Sequence, residues 1–184
     1  MKERLQIFKD EKINLEQTIC VILLVMVCSG LFGFIYETIF YRIDLGYFVK
    51  RGSTFGPWIP IYAYGGLFIT IFTYKFRKNP VVVFLLTCII TGLLEYLTGM
   101  FFWECFNKRL WDYNIEMWNY GNINGYICLR SVLLFGFSGL FLVYMVIPIL
   151  KKIITRIPRK IGLVVSYTLS MLFLFDIIVY MIIK

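Results

Sequence analysis

The chain has 184 residues, of which 60% are hydrophobic, 19% aromatic and only 16% charged, with a formal net charge of +8. A water-soluble domain cannot hide that much apolar surface, and spans of about 20 residues leave room for roughly five crossings and short loops, so a soluble nucleotide-binding or catalytic domain is excluded. The basic residues sit in small groups at span ends, where membrane topology and anionic lipid account for them and nucleic acid need not be invoked.

In chain order, residues 1–16 mix Lys2, Arg4, Lys9 and Lys12 with Glu3, Asp10, Glu11 and Glu16. They read as a cytoplasmic N-terminal segment, with a short surface helix expected there. The apolar run that follows is too long for the core of a cleavable signal and is expected to stay as the first span. Residues 17–184 then form one transmembrane domain, an all-α polytopic helix bundle with spans at about 18–41, 57–74, 80–103, 127–150 and 161–183. Pro57, Pro80 and Pro158 are placed at helix starts, where a missing N–H costs little. Pro60, with Gly56, Gly65 and Gly66, predicts a bent or partly re-entrant entry to the second span. Ser29 and Gly33 form a small-xxx-small pair suited to close helix packing.

Five spans put the N-terminal tail and the 75–80 and 151–160 loops on one side, carrying twelve Lys and Arg against seven on the other. The positive-inside rule gives N-in, C-out, with the longer loops 42–56 and 104–126 outside.

Three acids fall within spans, Glu37, Glu95 and Asp176, all in the outer third of the bilayer under this topology, and Arg130 lies in the first turn of the fourth span. Charges at such depth have partners or functions. One reading is a set of structural ion pairs. The other is a polar cavity open to the outer face, in which Arg51 and Arg130, with helix N-termini and backbone N–H groups near Gly52, Gly56 and Gly125, would take a carboxylate or lipid phosphate. The aromatic residues Trp103, Trp111, Tyr113, Trp118 and Tyr120 read as an interfacial belt. With no His and no C-x-x-C pair, His-dependent catalysis, a metal centre and a cofactor are not expected. Cys105 and Cys128 flank the second outer loop and are candidates for a disulfide.

The stretch Arg51-Gly52-Ser53-Thr54-Phe55-Gly56-Pro57-Trp58-Ile59-Pro60-Ile61-Tyr62 resembles an R-G-x-x-x-G-P-x-x-P-I-Y signature. Glu95 in Leu94-Glu95-Tyr96, Glu104, Trp111-Asp112-Tyr113, Asn122-Ile123-Asn124-Gly125 and Ile127-Cys128-Leu129 follow in matching order. Together, over residues 30–150, they resemble the bacterial "putative ABC-transporter type IV" (CmpB-like) membrane proteins. The chain departs from that pattern with Ala63 for Gly, Asn114 for Ser and Tyr126 for Arg. The resemblance implies a multi-pass protein of the bacterial cell membrane and a transporter permease-like subunit.

Since no G-x-x-x-x-G-K-[ST] loop is present, a separate ATPase subunit would supply any ATP hydrolysis. Five spans are few for a complete path, which favours a homodimer or a larger complex in contact with membrane lipids. Candidate ligand-binding residues are Glu37, Arg51, Gly56, Glu95, Asp112, Asn122, Asn124 and Arg130. Two other readings stay open. One is a membrane enzyme acting on a lipid or envelope precursor, with Glu37, Glu95 and Asp112 as acid–base groups. The other is a non-catalytic modulator of another membrane protein.

Overall fold

A computed structural model describes Phe8 and residues 13–183; most of the surface helix expected before residue 16 lies outside the described residues. The chain forms helices α1 (Leu15–Leu45), α2 (Pro60–Thr73, continued by a 3-10 turn Tyr74–Phe76), α3 (Pro80–Phe106), α4 (Leu129–Phe141), α5 (Ile147–Arg156) and α6 (Arg159–Ile183). A π-helical turn, Leu142–Val146, joins α4 to α5. Pro148 has no N–H to donate, and the wider turn just ahead of it lets α4 and α5 continue as one 28-residue span.

Local sequence explains the helix ends. Asn14 caps α1 in a reciprocal capping box with Gln17, and Asn79 caps α3 with its side chain while Pro80 occupies the first turn. Gly46 and Asn107 end α1 and α3 in left-handed conformations.

Helix α1 is the centre of the bundle. It packs on α2, α5 and α6, while α2 packs on α3 and α3 on α4. Gly33 of α1 permits this closeness, because a Cβ there would overlap the Tyr62 ring of α2; Ser29, one turn earlier, sits against Gly66. The main apolar core lies toward the end of the bundle that holds the α1 N-terminus, where Val21, Val25, Ile69, Val83 and Ile147 pack together. At that end the buried ammonium of Lys151 donates to the Tyr74 hydroxyl (2.6 Å) and lies 4.2 Å over the Phe8 ring. Arg159 opens α6 and pairs with Glu16 at 2.6 Å.

Among the described residues, four helices are long and apolar enough to cross a membrane: α1, α3, the α4–α5 span and α6. The second apolar segment behaves differently. Its helix begins at Pro60 rather than Pro57 and has 14 residues, roughly 21 Å against the ~30 Å of a hydrocarbon core. Residues 50–59 descend beside α1 without helical structure, and the Ile59 N–H donates to the carbonyl of Gly30, halfway along α1, at 3.1 Å. This traverse is therefore half extended segment and half helix. Pro60 tolerates the arrangement because the first turn of a helix needs no donor there. Pro57 sits in the preceding bends, where the Thr54 hydroxyl donates to the Trp58 carbonyl (2.6 Å).

Non-helical backbone at membrane depth must be satisfied by protein, and α6 supplies the partner. Asp176 Oδ1 accepts from the Phe55 N–H (2.9 Å), and Oδ2 accepts from the Gly56 N–H (2.7 Å) and the Trp58 indole (2.6 Å). The Trp58 ring also packs edge-on against the fully buried Phe173.

The two ends of the bundle carry different loops. The short 77–79 and 157–158 connections lie at the α1 N-terminal end; the longer 46–59 and 107–128 segments lie at the other. From the basic bias we propose that the short-loop end faces the cytoplasm. In a Cys-free background, a single Cys at Asn114 is expected to react with a membrane-impermeant maleimide in intact cells, and one at Thr155 is not. The reverse labelling pattern would invert the orientation.

Candidate functional site

A water-sized cavity of about 30 Å³ lies between α1, α2, α3, α4 and the 107–128 loop. Helix α1 contributes two turns, Tyr36 and Phe40 on one row and Glu37 and Tyr41 on the next, because positions four apart stack on one helix face. Helix α2 brings Tyr62, α3 brings Glu95, α4 brings Arg130 and Ser131, and the loop brings Tyr113 and Glu116.

The three carboxylates have distinct partners. Glu37 pairs with Arg51 Nε (3.0 Å) and lines the cavity together with Tyr62. The Arg51 guanidinium stacks 3.7 Å from the centre of the Tyr41 ring. Glu116, 8% exposed, accepts from the Tyr41 hydroxyl and from Arg130 Nη2 (2.6 Å). Glu95, 4% exposed, accepts from the Tyr113 hydroxyl and has Ser131 Oγ 2.8 Å from its other oxygen. Burial, followed by the charge of Glu95, pushes the Tyr113 phenol well above its ordinary range, so it stays a donor at physiological pH.

Arg130 is the least satisfied member. Its guanidinium lies 4.1 Å over the Phe40 ring and 5.4 Å from the Tyr113 ring. Nη2 holds Glu116, but Nε and Nη1 are buried without a hydrogen-bond partner among the described residues. Arg130 thus brings a cation to the wall of the cavity.

The candidate residues separate into three groups. Glu37, Glu95 and Arg130 line the cavity, and Arg51 borders it through its pair with Glu37. Gly56 lies on the far side of the re-entrant segment, and its N–H is held by Asp176. Asp112, Asn122 and Asn124 belong to a third cluster in the 107–128 loop. Asp112 Oδ1 accepts from Arg109 (3.3 Å) and from both nitrogens of Asn114. Asn122 accepts from the Gly125 N–H and donates to Asn114 Oδ1, while the Asn124 carbonyl accepts from Arg109 (3.2 Å). Gly125 (φ 76°) closes the cluster, since a Cβ there would overlap Arg109, Asn114 and Asp112. The Gly125 carbonyl then accepts from the Tyr113 N–H (3.1 Å), fixing the residue that reaches Glu95.

Tyr126, where the resemblance sets Arg, packs edge-on against Tyr96, and the Arg109 guanidinium lies 5.3 Å from its ring centre. Cys105 is exposed, Cys128 is buried, and both are free thiols.

Glu116, Tyr41, Tyr62 and Ser131 are site residues that the sequence reading missed. Glu116 lies in a polar loop and reads as solvated. Its one available signal is that Glu116 and Arg130 flank the run that opens α4, so a loop folding back onto the helix start would bring them together.

The two hydroxyls on Glu95 make its replacements informative. Glu95→Gln keeps an acceptor for Tyr113 and a polar partner for Ser131, and is expected to unfold in detergent near the wild-type midpoint. Glu95→Leu leaves the buried Tyr113 hydroxyl unpaired and should lose roughly 1–3 kcal/mol, seen as a lower midpoint. Equal midpoints for the two variants would show that the hydroxyls find other partners.

The family model described as "Putative ABC-transporter type IV" matches residues 23–181. Neither a search of curated proteins nor a search of solved structures finds a match. With the match covering most of a chain that folds as an all-α bundle with four long apolar helices, the protein belongs to the putative ABC-transporter type IV family.

Proposed function

We propose that the chain is a permease-like subunit of a membrane transporter, and that the cavity around Arg130 is the contracted form of an outward-facing site for a small anionic group. The observation that carries this reading is the state of Arg130: one arm is neutralised by Glu116, and two buried donors are left over. Elsewhere in this layer the chain's own carboxylates already occupy the anion receptors, Glu37 on Arg51 and Asp176 on the N–H groups of Phe55 and Gly56. Arg130 is the group with donors to spare.

At about 30 Å³ the space holds no more than a water molecule, so substrate entry requires the 107–128 loop, which supplies Tyr113 and Glu116, to move away from α1 and α4. With no phosphate-binding loop in the sequence, the energy for that movement comes in this reading from a separate ATPase, as the family description suggests. Membrane lipids surround the bundle, and a second copy or a companion chain completes the path.

Isolation of the tagged chain from its native membrane in mild detergent, followed by mass spectrometry and an ATP turnover assay, tests the proposal. An ATPase is expected to co-purify. Arg130→Lys, which keeps the charge on Glu116 but loses the planar fork, should leave the assembly intact and lower its ATP turnover several-fold. Absence of any ATPase from the wild-type preparation would contradict the proposal. Turnover of a lipid substrate by the purified chain alone would instead favour a membrane enzyme.

A further inference from the structure

A second concavity lies beside the re-entrant segment. It is an open groove of about 350 Å³ between the outer half of α1 and residues 48–57. Its floor is Phe34 and Thr38 of α1, and its walls include Phe48, Phe55 and Pro57. Its rim is cationic. Lys50 and Arg51 line it, and the Arg42 guanidinium lies 5.2 Å from the Phe48 ring centre. Phe48 and Phe55 are 75% and 50% exposed, amid further apolar side chains left uncovered on α1, Ile35, Ile39 and Ile43.

The nearby carboxylates are already engaged. Glu37 holds Arg51, Asp44 accepts from the Met117 N–H (3.2 Å), and Asp176, within electrostatic reach of Lys50, is held by three N–H groups. Lys50 is exposed, its ammonium resting 5.4 Å from the Phe55 ring centre and 5.9 Å from that of Tyr180.

We infer that this groove binds one anionic phospholipid, with an acyl chain laid against Phe34, Phe48 and Phe55 and the headgroup phosphate at Lys50. The occupant follows from the order of the surfaces. An apolar floor at membrane depth continues into a cationic, aromatic rim at the end of α1, and an anionic lipid presents the same sequence of acyl chain and phosphate. A soluble anion would leave the exposed Phe48 and Phe55 unmatched, and a neutral lipid would leave the charge unmatched. A lipid seated here would brace residues 48–57, the segment whose Phe55 and Gly56 N–H groups Asp176 holds. This site shares neither Arg130 nor the 107–128 loop with the transport reading and stands or falls separately from it.

Delipidated protein in a nonionic detergent supplies the test, by thermal unfolding with dioleoyl phosphatidylglycerol, with dioleoyl phosphatidylcholine, or with inorganic phosphate. Phosphatidylglycerol is expected to raise the midpoint by several degrees more than phosphatidylcholine, and phosphate should do nothing. Lys50→Gln should lose most of the phosphatidylglycerol-specific gain while keeping the wild-type midpoint in phosphatidylcholine. Lys50→Arg should retain the gain, as should Lys152→Gln at the opposite end. Equal stabilisation by the two lipids, full retention of the gain in Lys50→Gln, or reproduction of the gain by phosphate alone would each overturn the assignment.

Discussion

Inside a bilayer every charge and every backbone polar group must find its partner within the protein, because hydrocarbon offers none. In this chain that constraint falls most heavily on Arg130, placed by the start of α4 beside aromatic rings and away from water. Its counter-charge is Glu116, from a loop outside the helices. Glu116 is buried and Arg130 partly so, with side chains 6% and 16% exposed. Removing one partner of such a pair costs about 3–5 kcal/mol, because a charge is left unneutralised. To deliver Glu116 the 107–128 loop must fold back over the bundle, and in doing so it places Tyr113 on Glu95. Cation, loop and cavity are thus consequences of one placement.

The same rule shapes the re-entrant segment. Residues 50–59 give up helical hydrogen bonds at membrane depth, and substitutes come from Gly30, Thr54 and Asp176. Both irregular segments lie at the same end and flank the same C-terminal turns of α1. The regular helix core lies toward the other end, where Val21, Val25, Ile69 and Ile147 pack.

Much of the bundle was legible because apolar length is a local property. The runs at 18–41, 80–103, 127–150 and 161–183 overlap the four long helices, and the caps Asn14 and Asn107 set the start of α1 and the end of α3 a few residues beyond the apolar runs. The second run was legible as irregular, from Gly56, Pro57 and Pro60, but its helix starts one turn later than Pro57 suggests, because Thr54 and Asp176 hold the preceding residues out of helix. Glu37, Glu95 and Arg130 stood out as charges in apolar surroundings, and they meet at one cavity. Partner choice was less accessible. That Arg51 takes Glu37, that Asp176 takes the Gly56 N–H, and that Asp112, Asn122 and Asn124 are tied to Arg109, Asn114 and Gly125 within their own loop depends on how the elements and the loop are packed. Glu116 was missed for a related reason: in a polar loop a carboxylate carries no sign of burial until the loop's position is known.

The dependence of the cavity on the Arg130–Glu116 pair is tested most directly by a double-mutant cycle on thermal unfolding in detergent, using Arg130→Met, Glu116→Met and both together. If the pair holds the loop as described, each single variant strands a buried charge and unfolds well below wild type, whereas the double variant recovers much of the loss. Losses that simply add in the double variant would contradict the account, because they would mean that Arg130 and Glu116 are neutralised independently of one another.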